Sequence, residues 1–266
     1  MRESTICAQT GYIGNKPLPP SKKVFAMFAA RHMSRLLPLC AAVLAVLGLA
    51  AGLAPHRTAF AGQPNGPLPA PQFDPADPAA SETATLSGGC FWGVQGVYEH
   101  VKGVTKVYAG YTGGAAVTAA YEIVSTGATG HAESVQITFN PHVISYGQIL
   151  QIYFSVATDP TELNYQSPDT GTQYRGEIWY ASPMQQKIAS SYIAQLTAAR
   201  TYDSPIVTRV DPAKGFYKAE DYHQDFLVRN PDYPYIVVND LPKVQNLARF
   251  FPALYQARPV TVFPQS

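Results

Sequence analysis

Residues 36–54, LLPLCAAVLAVLGLAAGLA, carry no charge, and this run decides which part of the chain can form a water-soluble fold. Arg31, His32 and Arg35 precede it, and Thr58-Ala59-Phe60-Ala61-Gly62 follows it with small residues at Ala59 and Ala61. A basic start, an apolar middle and an A-x-A end describe an export signal that is cleaved. An uncleaved membrane anchor is the second reading, since a run of about 18 apolar residues can span a bilayer. A buried helix is the third. Either of the first two readings exports the rest of the chain, and a periplasm suits it best. Residues 62–82 are rich in proline and poor in large apolar side chains, which reads as an extended, mobile linker. The chain therefore divides into an extension with its signal (1–61), the linker (62–82), one folded domain (83–255) and a short tail (256–266).

The split changes the charge. The 266 residues hold 19 Lys+Arg and 18 Asp+Glu. Removing 1–61 leaves 12 basic and 17 acidic residues, a net charge of −5. Neither figure suits a nucleic-acid binder with a basic face. Cys7, Cys40 and Cys90 are too few and too scattered for a disulfide framework or a cysteine zinc site. No phosphate-binding glycine loop and no spaced His/Cys set stands out, so no metal, nucleotide or flavin is expected to be bound.

Within the domain, Thr83–Leu86 reads as a short strand ending at Ser87-Gly88-Gly89. A helix follows over Cys90–Val101, its stripe being Phe91, Val94, Val97, Tyr98 and Val101. Val107, Ala109 and Tyr111 alternate as a strand, and Val135, Ile137 and Phe139 do so more clearly. Ser145 caps a helix with Tyr146, Ile149, Leu150, Tyr153 and Phe154 on its buried face. Ile178–Tyr180 is a strand, Ser182-Pro183 starts a helix, and Ile206–Val210 is a further strand. The remaining third reads as loop and short helix. This order implies an α+β fold: a mixed sheet with a split βαβ, ferredoxin-like core and helices packed on it. A doubly wound parallel sheet is the second choice.

Cys90 starts a helix directly after a strand and two glycines. Unpaired N–H groups and the helix dipole there favour a thiolate, which makes a reactive cysteine the better reading than an inert buried one. Glu133, in Gly130-His131-Ala132-Glu133, leads into the clearest strand, and a desolvated carboxyl at that point can hold a proton at neutral pH. A solvated loop carboxylate is the commoner fate of a lone Glu. His131 invites a Cys-His pair, on weak grounds. Asp169 and Tyr174 sit in a polar turn, and Tyr121 follows a glycine-rich turn; neither tyrosine stands out alone. Ala219–Gln224, which contains His223, reads as the surface of a short helix.

Together these segments resemble a known family. Gly89-Cys90-Phe91-Trp92-Gly93, Ala109-Gly110-Tyr111-Thr112-Gly113-Gly114, Gly130-His131-Ala132-Glu133, Gly171-Thr172-Gln173-Tyr174-Arg175 and Ala219-Glu220-Asp221-Tyr222-His223-Gln224 are similar to the successive motifs of peptide methionine sulfoxide reductase A. They occur in the family's order over about residues 83–235. The resemblance implies that Cys90 attacks the sulfur of a methionine S-sulfoxide, in proteins or as the free amino acid, and becomes a sulfenic acid. It implies that Glu133 protonates the oxygen, that Tyr121 and Tyr174 hold it, and that Phe91 and Trp92 receive the S-methyl group. Asp169 falls in the matched substrate loop, while His131 and His223 are expected to orient loops by hydrogen bonds. A thiolate needs such an acid and such donors, because sulfoxide oxygen leaves poorly until protonated.

One departure matters. Many relatives carry further cysteines near the C-terminus that resolve the sulfenic acid, and this chain has none after Cys90. A one-cysteine enzyme is expected, acting as a monomer and recycled by an outside thiol: a thioredoxin-like protein, glutaredoxin with glutathione, or another dithiol. Its expected partners are oxidised methionines and that thiol. No nucleic acid is expected, and a membrane only if the signal stays uncleaved. The competing readings are a thiol peroxidase or a Cys-His acyl hydrolase using His131 or His223 as base, and a non-catalytic domain that binds through Phe91 and Trp92.

Overall fold

The structure, a computed structural model, describes residues 65–264. The apolar run 36–54, Cys7 and Cys40 lie outside the described residues. In chain order the elements are β1 (Glu82–Ser87), α1 (Phe91–Glu99), β2 (Val104–Thr112), α2 (Tyr121–Val124), β3 (Ala132–Phe139) and α3 (Tyr146–Ile152). There follow β4 (Tyr165–Gln166), β5 (Asp169–Thr170), β6 (Glu177–Tyr180), α4 (Pro183–Ala198) and β7 (Arg209–Pro212). The last are β8 (Phe216–Lys218), α5 (Phe226–Arg229) and α6 (Leu241–Phe250).

Six strands form one sheet in the order β7-β6-β1-β3-β2-β8, and β4 pairs with β5 alone. β3 lies between β1 and β2 and is antiparallel to both, so β1 and β2 run the same way with α1 as their crossover. That is the split βαβ unit. β6 and β7 pair in parallel, which makes the sheet mixed and the fold α+β, as the sequence implied. The alternation read in β3 is real: Val135, Ile137 and Phe139 are fully buried, while Gln136 and Thr138 are half-buried.

Every residue of α1 is buried, so this helix is a central element with no solvent face. Two glycines allow that. A Cβ on Gly93 would lie 2.0 Å from Asp240 Oδ1, and one on Gly96 would lie 2.6 Å from Leu227 Cδ1. The chain before α6 and α5 itself therefore close directly onto the backbone of α1.

Several expectations need correction. The first helix runs Phe91–Glu99 rather than to Val101, and Cys90 is its N-cap. The helix capped by Ser145 loses its α-geometry at Tyr153–Ala157, where a π-turn takes over. The strand expected at Ile206–Val210 begins only at Arg209, because pairing with β6 starts at Glu177 opposite Arg209, and the Val207 N–H goes instead to Pro160 O. The C-terminal third holds more structure than loop: β8 extends the sheet beyond β2, and α6 is a full helix.

The proline-rich segment has no helix or strand over 65–81, yet its backbone is hydrogen-bonded to the domain. Proline removes backbone donors but leaves carbonyls, and side chains of α3 and α4 reach them. Tyr192 OH donates to Pro69 O, Gln195 Nε2 to Ala70 O, and Gln151 Nε2 to Leu68 O. Leu68 is buried, and Asp74 accepts from the Gly147 N–H at the start of α3. The tail docks as well: Asp225 accepts from the N–H groups of Val262 and Phe263.

Candidate active site

The turn Ser87–Cys90 is fixed on its strand side by three groups on Ser87. Trp179 Nε1 donates to Ser87 Oγ (2.8 Å), Ser134 Oγ lies 2.7 Å from that oxygen, and Tyr153 OH donates to the Ser87 carbonyl (2.6 Å). Gly89 has φ +94°, and a Cβ there would sit 2.7 Å from Gln166 Cβ. A non-glycine residue is excluded on both counts. The turn ends at Cys90, which is buried at the N-cap of α1.

Glu133 arrives by strand pairing. Because β3 is antiparallel to β1, its first residues lie beside the last residues of β1. Glu133 is 1% exposed, and its Oε2 accepts the Phe91 N–H at 3.0 Å, one residue from Cys90. A carboxyl is thus seated among the first N–H groups of the helix that starts with the cysteine.

Phe91 and Trp92 point into an aromatic cluster. Trp92 stacks on Phe226 with ring centres 3.7 Å apart and meets the edges of Tyr233 and Tyr235. Its indole Nε1 donates to His223 Nδ1 (3.1 Å). The His223 ring lies 4.9 Å from Phe91 and 4.8 Å from Tyr121. One imidazole therefore links Phe91 and Trp92 with Tyr121. Burial pushes His223 down to about 4, with Glu220 opposing, so at neutral pH it is uncharged, with its proton on Nε2.

Tyr174 stands next to Arg175, which ties its turn to the start of β3. Arg175 donates to the carbonyls of Thr172 (2.8 Å), Gly130 (3.0 Å) and His131 (3.2 Å), and its Nε lies 2.5 Å from Glu177. Asp169, on β5, accepts a very short hydrogen bond from Tyr235, whose ring packs on Trp92. Burial pushes Asp169 up to about 6, and Tyr235 and Lys243 only partly offset it. Asp240 is likewise raised to about 6 by burial, against the pull of Lys243 at 3.3 Å.

The structure thus gathers Cys90, Phe91, Trp92, Glu133, Tyr121 and His223 at one end of α1, with Asp169 joined through Tyr235 and Tyr174 through Arg175. His131 stands apart in role. Gly114 N–H donates to its Nδ1, and its Nε2 meets Ala115 O, so the ring braces its own loop. The segment Ala219–Gln224 is not a helix surface: Ala219, His223 and Gln224 are buried. Arg175, Glu220 and Tyr111 stand inside the motifs quoted from the sequence but have no role assigned there, and Tyr235 lies outside them. The contacts that tie these four to the site, with Gly130, Tyr121, Glu220 and Asp169, each span 45 residues or more.

Comparison with known proteins agrees. Residues 82–253 match the family model described as peptide methionine sulfoxide reductase. The peptide methionine sulfoxide reductase MsrA 2 of Mesorhizobium japonicum is 61% identical over 186 residues, covering 70% of this chain and 95% of that protein. The protein of the same name from Synechocystis sp. is 46% identical over 181 residues, covering 67% and 85%. Among solved structures, the reduced form of Mxr1 from Saccharomyces cerevisiae is similar with a TM-score of 0.53 and 32% identity, covering 61% of this chain and 92% of that one.

Proposed function

The chain belongs to the peptide methionine sulfoxide reductase family and is a peptide-methionine (S)-S-oxide reductase, and from that premise we propose how its own residues carry out the reaction. Cys90 attacks the sulfoxide sulfur as the thiolate, forming an S–S bond. Glu133 gives its proton to the oxygen, which the hydroxyls of Tyr121 and Tyr174 hold as charge builds on it. The S-methyl group sits against Phe91 and Trp92, which the stack on Phe226 keeps rigid. Asp169 orients the substrate backbone. The hydroxyl then moves to the Cys90 sulfur as the S–O and S–S bonds of the adduct break, leaving methionine and a sulfenic acid. Two outside thiols reduce that acid to the thiol, releasing water and their own disulfide. The contact of Glu133 with the Phe91 N–H carries this reading, because it sets a buried acid beside the cysteine.

The cysteine count supports recycling by an external thiol or dithiol, since no cysteine follows Cys90. The basic, apolar and A-x-A pattern of residues 31–62 supports a reaction outside the cytoplasm, with oxidised exported proteins as substrates. The two histidines do not favour a Cys-His hydrolase: His131 braces its loop on both ring nitrogens, and His223 Nδ1 is occupied by Trp92.

The test is a racemic methionine-sulfoxide peptide with a dithiol. Only the S epimer should be consumed. Turnover should vanish in Cys90→Ser and fall about 100-fold or more in Glu133→Gln. Equal loss of both epimers, or of neither, overturns the reading.

A further inference from the structure

α2 is a single turn, Tyr121–Val124, and the residues before it are Ala119 and Ala120. The first N–H groups of a helix need an acceptor, and Ala120 has no side-chain oxygen to offer. The acceptor comes from far along the chain: Glu220 Oε1 takes the Tyr121 N–H at 2.9 Å. Its other oxygen, Oε2, takes the Tyr111 hydroxyl at 2.8 Å, so both ends of the carboxylate are fixed. The segment that carries it is fixed too. Ala219 N–H donates to Ala109 O, and the Gln224 amide bonds both the N–H and the carbonyl of Ala109. On the ring side, Tyr121 meets His223, whose Nε2 lies 3.9 Å from Glu220 Oε2.

We propose that Glu220 is a positioning residue for sulfoxide reduction: its carboxylate caps the start of α2 and thereby sets the Tyr121 hydroxyl where the sulfoxide oxygen is held. The proposal rests on the reading of Tyr121 as an oxygen donor. Glu220 never touches substrate. It works through the backbone of one residue, and the rigid attachment of its own segment to β2 is what makes that placement definite. Burial alone would raise its proton affinity, but hydrogen bonds from the Tyr121 N–H, its own backbone and the Tyr111 hydroxyl, together with His223, outweigh it, so the carboxyl is ionised at neutral pH.

The experiment is steady-state kinetics on an S-sulfoxide peptide with Tyr121→Phe, Glu220→Ala, Glu220→Gln and the double variant Glu220→Ala/Tyr121→Phe. A displaced donor costs rate rather than binding, so Glu220→Ala should lower kcat about 10- to 100-fold with KM nearly unchanged. Glu220→Gln should recover most of that loss, because its amide oxygen can still accept the Tyr121 N–H. The double variant should be no slower than the slower single variant, since both changes remove one function. Should Glu220→Ala fail to fold, Glu220→Asp, whose carboxylate stops short of the Tyr121 N–H, takes its place with the same expectation. A Tyr121→Phe enzyme with unchanged kcat overturns the reading of Tyr121 itself. If Tyr121→Phe is slow, an unchanged kcat in Glu220→Ala, no recovery in Glu220→Gln, or multiplying losses in the double variant overturns the role of Glu220 alone.

Discussion

Two loop systems lead to the residues gathered at the start of α1, and they are held by opposite charges. The turn containing Tyr174 and the loop leading to Glu133 are gripped by a cation, Arg175, acting on three carbonyl oxygens. The segment 219–224 grips Tyr121 with an anion, Glu220, acting on an N–H and a phenol. The difference lies in what each charge costs. Arg175 is nearly buried and needs the equally buried Glu177 as its counter-ion. Glu220 is a third exposed, and against its partial burial the hydrogen bonds from Tyr121, its own backbone and Tyr111, with His223, hold its proton affinity below the ordinary value. The first arm is a structural commitment, while the second mainly places one side chain.

That contrast is easiest to break at Arg175. Glu177 is already pushed up to about 7 by burial and by the neighbouring Asp211, and Arg175→Met leaves it with only Arg209, at 3.6 Å, as a counter-charge and strips three carbonyls of their donor. Removing one partner of a buried pair costs about 3–5 kcal/mol. Urea unfolding should show a loss in that range, and adding Glu177→Gln should restore part of it. Glu220→Ala should cost clearly less. A smaller loss for Arg175→Met than for Glu220→Ala would reverse the assignment of structural and positioning arms.

The two arms should also respond to pH with opposite sign. Asp169, just before the Tyr174 turn, is pushed up to about 6 by burial from an ordinary 3.8. Between those values the folded state binds more protons than the unfolded chain, so its contribution is full below about 3.8 and is lost as pH rises through about 6. His223 is the reverse: burial lowers it to about 4 from 6.5, so the unfolded chain binds more protons in that window. Its contribution is full above about 6.5 and is lost as pH falls to about 4. Unfolding free energy measured from pH 4 to 7 should rise more steeply with pH in Asp169→Asn than in wild type, and less steeply in His223→Gln. Shifts of the same sign in both variants would remove the distinction.

The legibility of the site follows the same division. Cys90, Phe91 and Trp92 are visible locally, since a strand, two glycines and a helix start make a recognisable unit. Glu133 is visible as the head of the clearest strand. Arg175 reaches Thr172 and Glu177 close by, but its other two carbonyls, on Gly130 and His131, lie more than 40 residues earlier, and Glu220 acts on an N–H 99 residues earlier, so the motifs around them do not show the ties to Glu133 and Tyr121. The fold fails at similar places. Ile206 and Val207 are β-branched and read as the start of a strand, but pairing with β6 begins only at Arg209. The prolines of 65–81 do signal an extended chain. They say nothing of Tyr192, Gln195 and Gln151, which wait on other helices to hold it.

The smallest expected effect sharpens the comparison furthest. Tyr111 donates to Glu220 and its ring lies 5.8 Å from Phe91, so the carboxylate has two routes to the site. Tyr111→Phe removes only the phenol, keeping the ring against Phe91 and leaving Oε1 free to cap α2. Losing that hydrogen bond should cost about 1–2 kcal/mol in stability, because the acceptor is charged. Turnover should stay within about twofold of wild type, a barrier change of about 0.4 kcal/mol, because Glu220 Oε1 still holds the Tyr121 N–H. A kcat as low as that of Glu220→Ala would mean that the carboxylate acts through Tyr111 on the methyl pocket and not through Tyr121. The anionic arm would then shape the wall beside Phe91 rather than the oxygen side, and its contrast with the Arg175 arm would narrow to the sign of the charge.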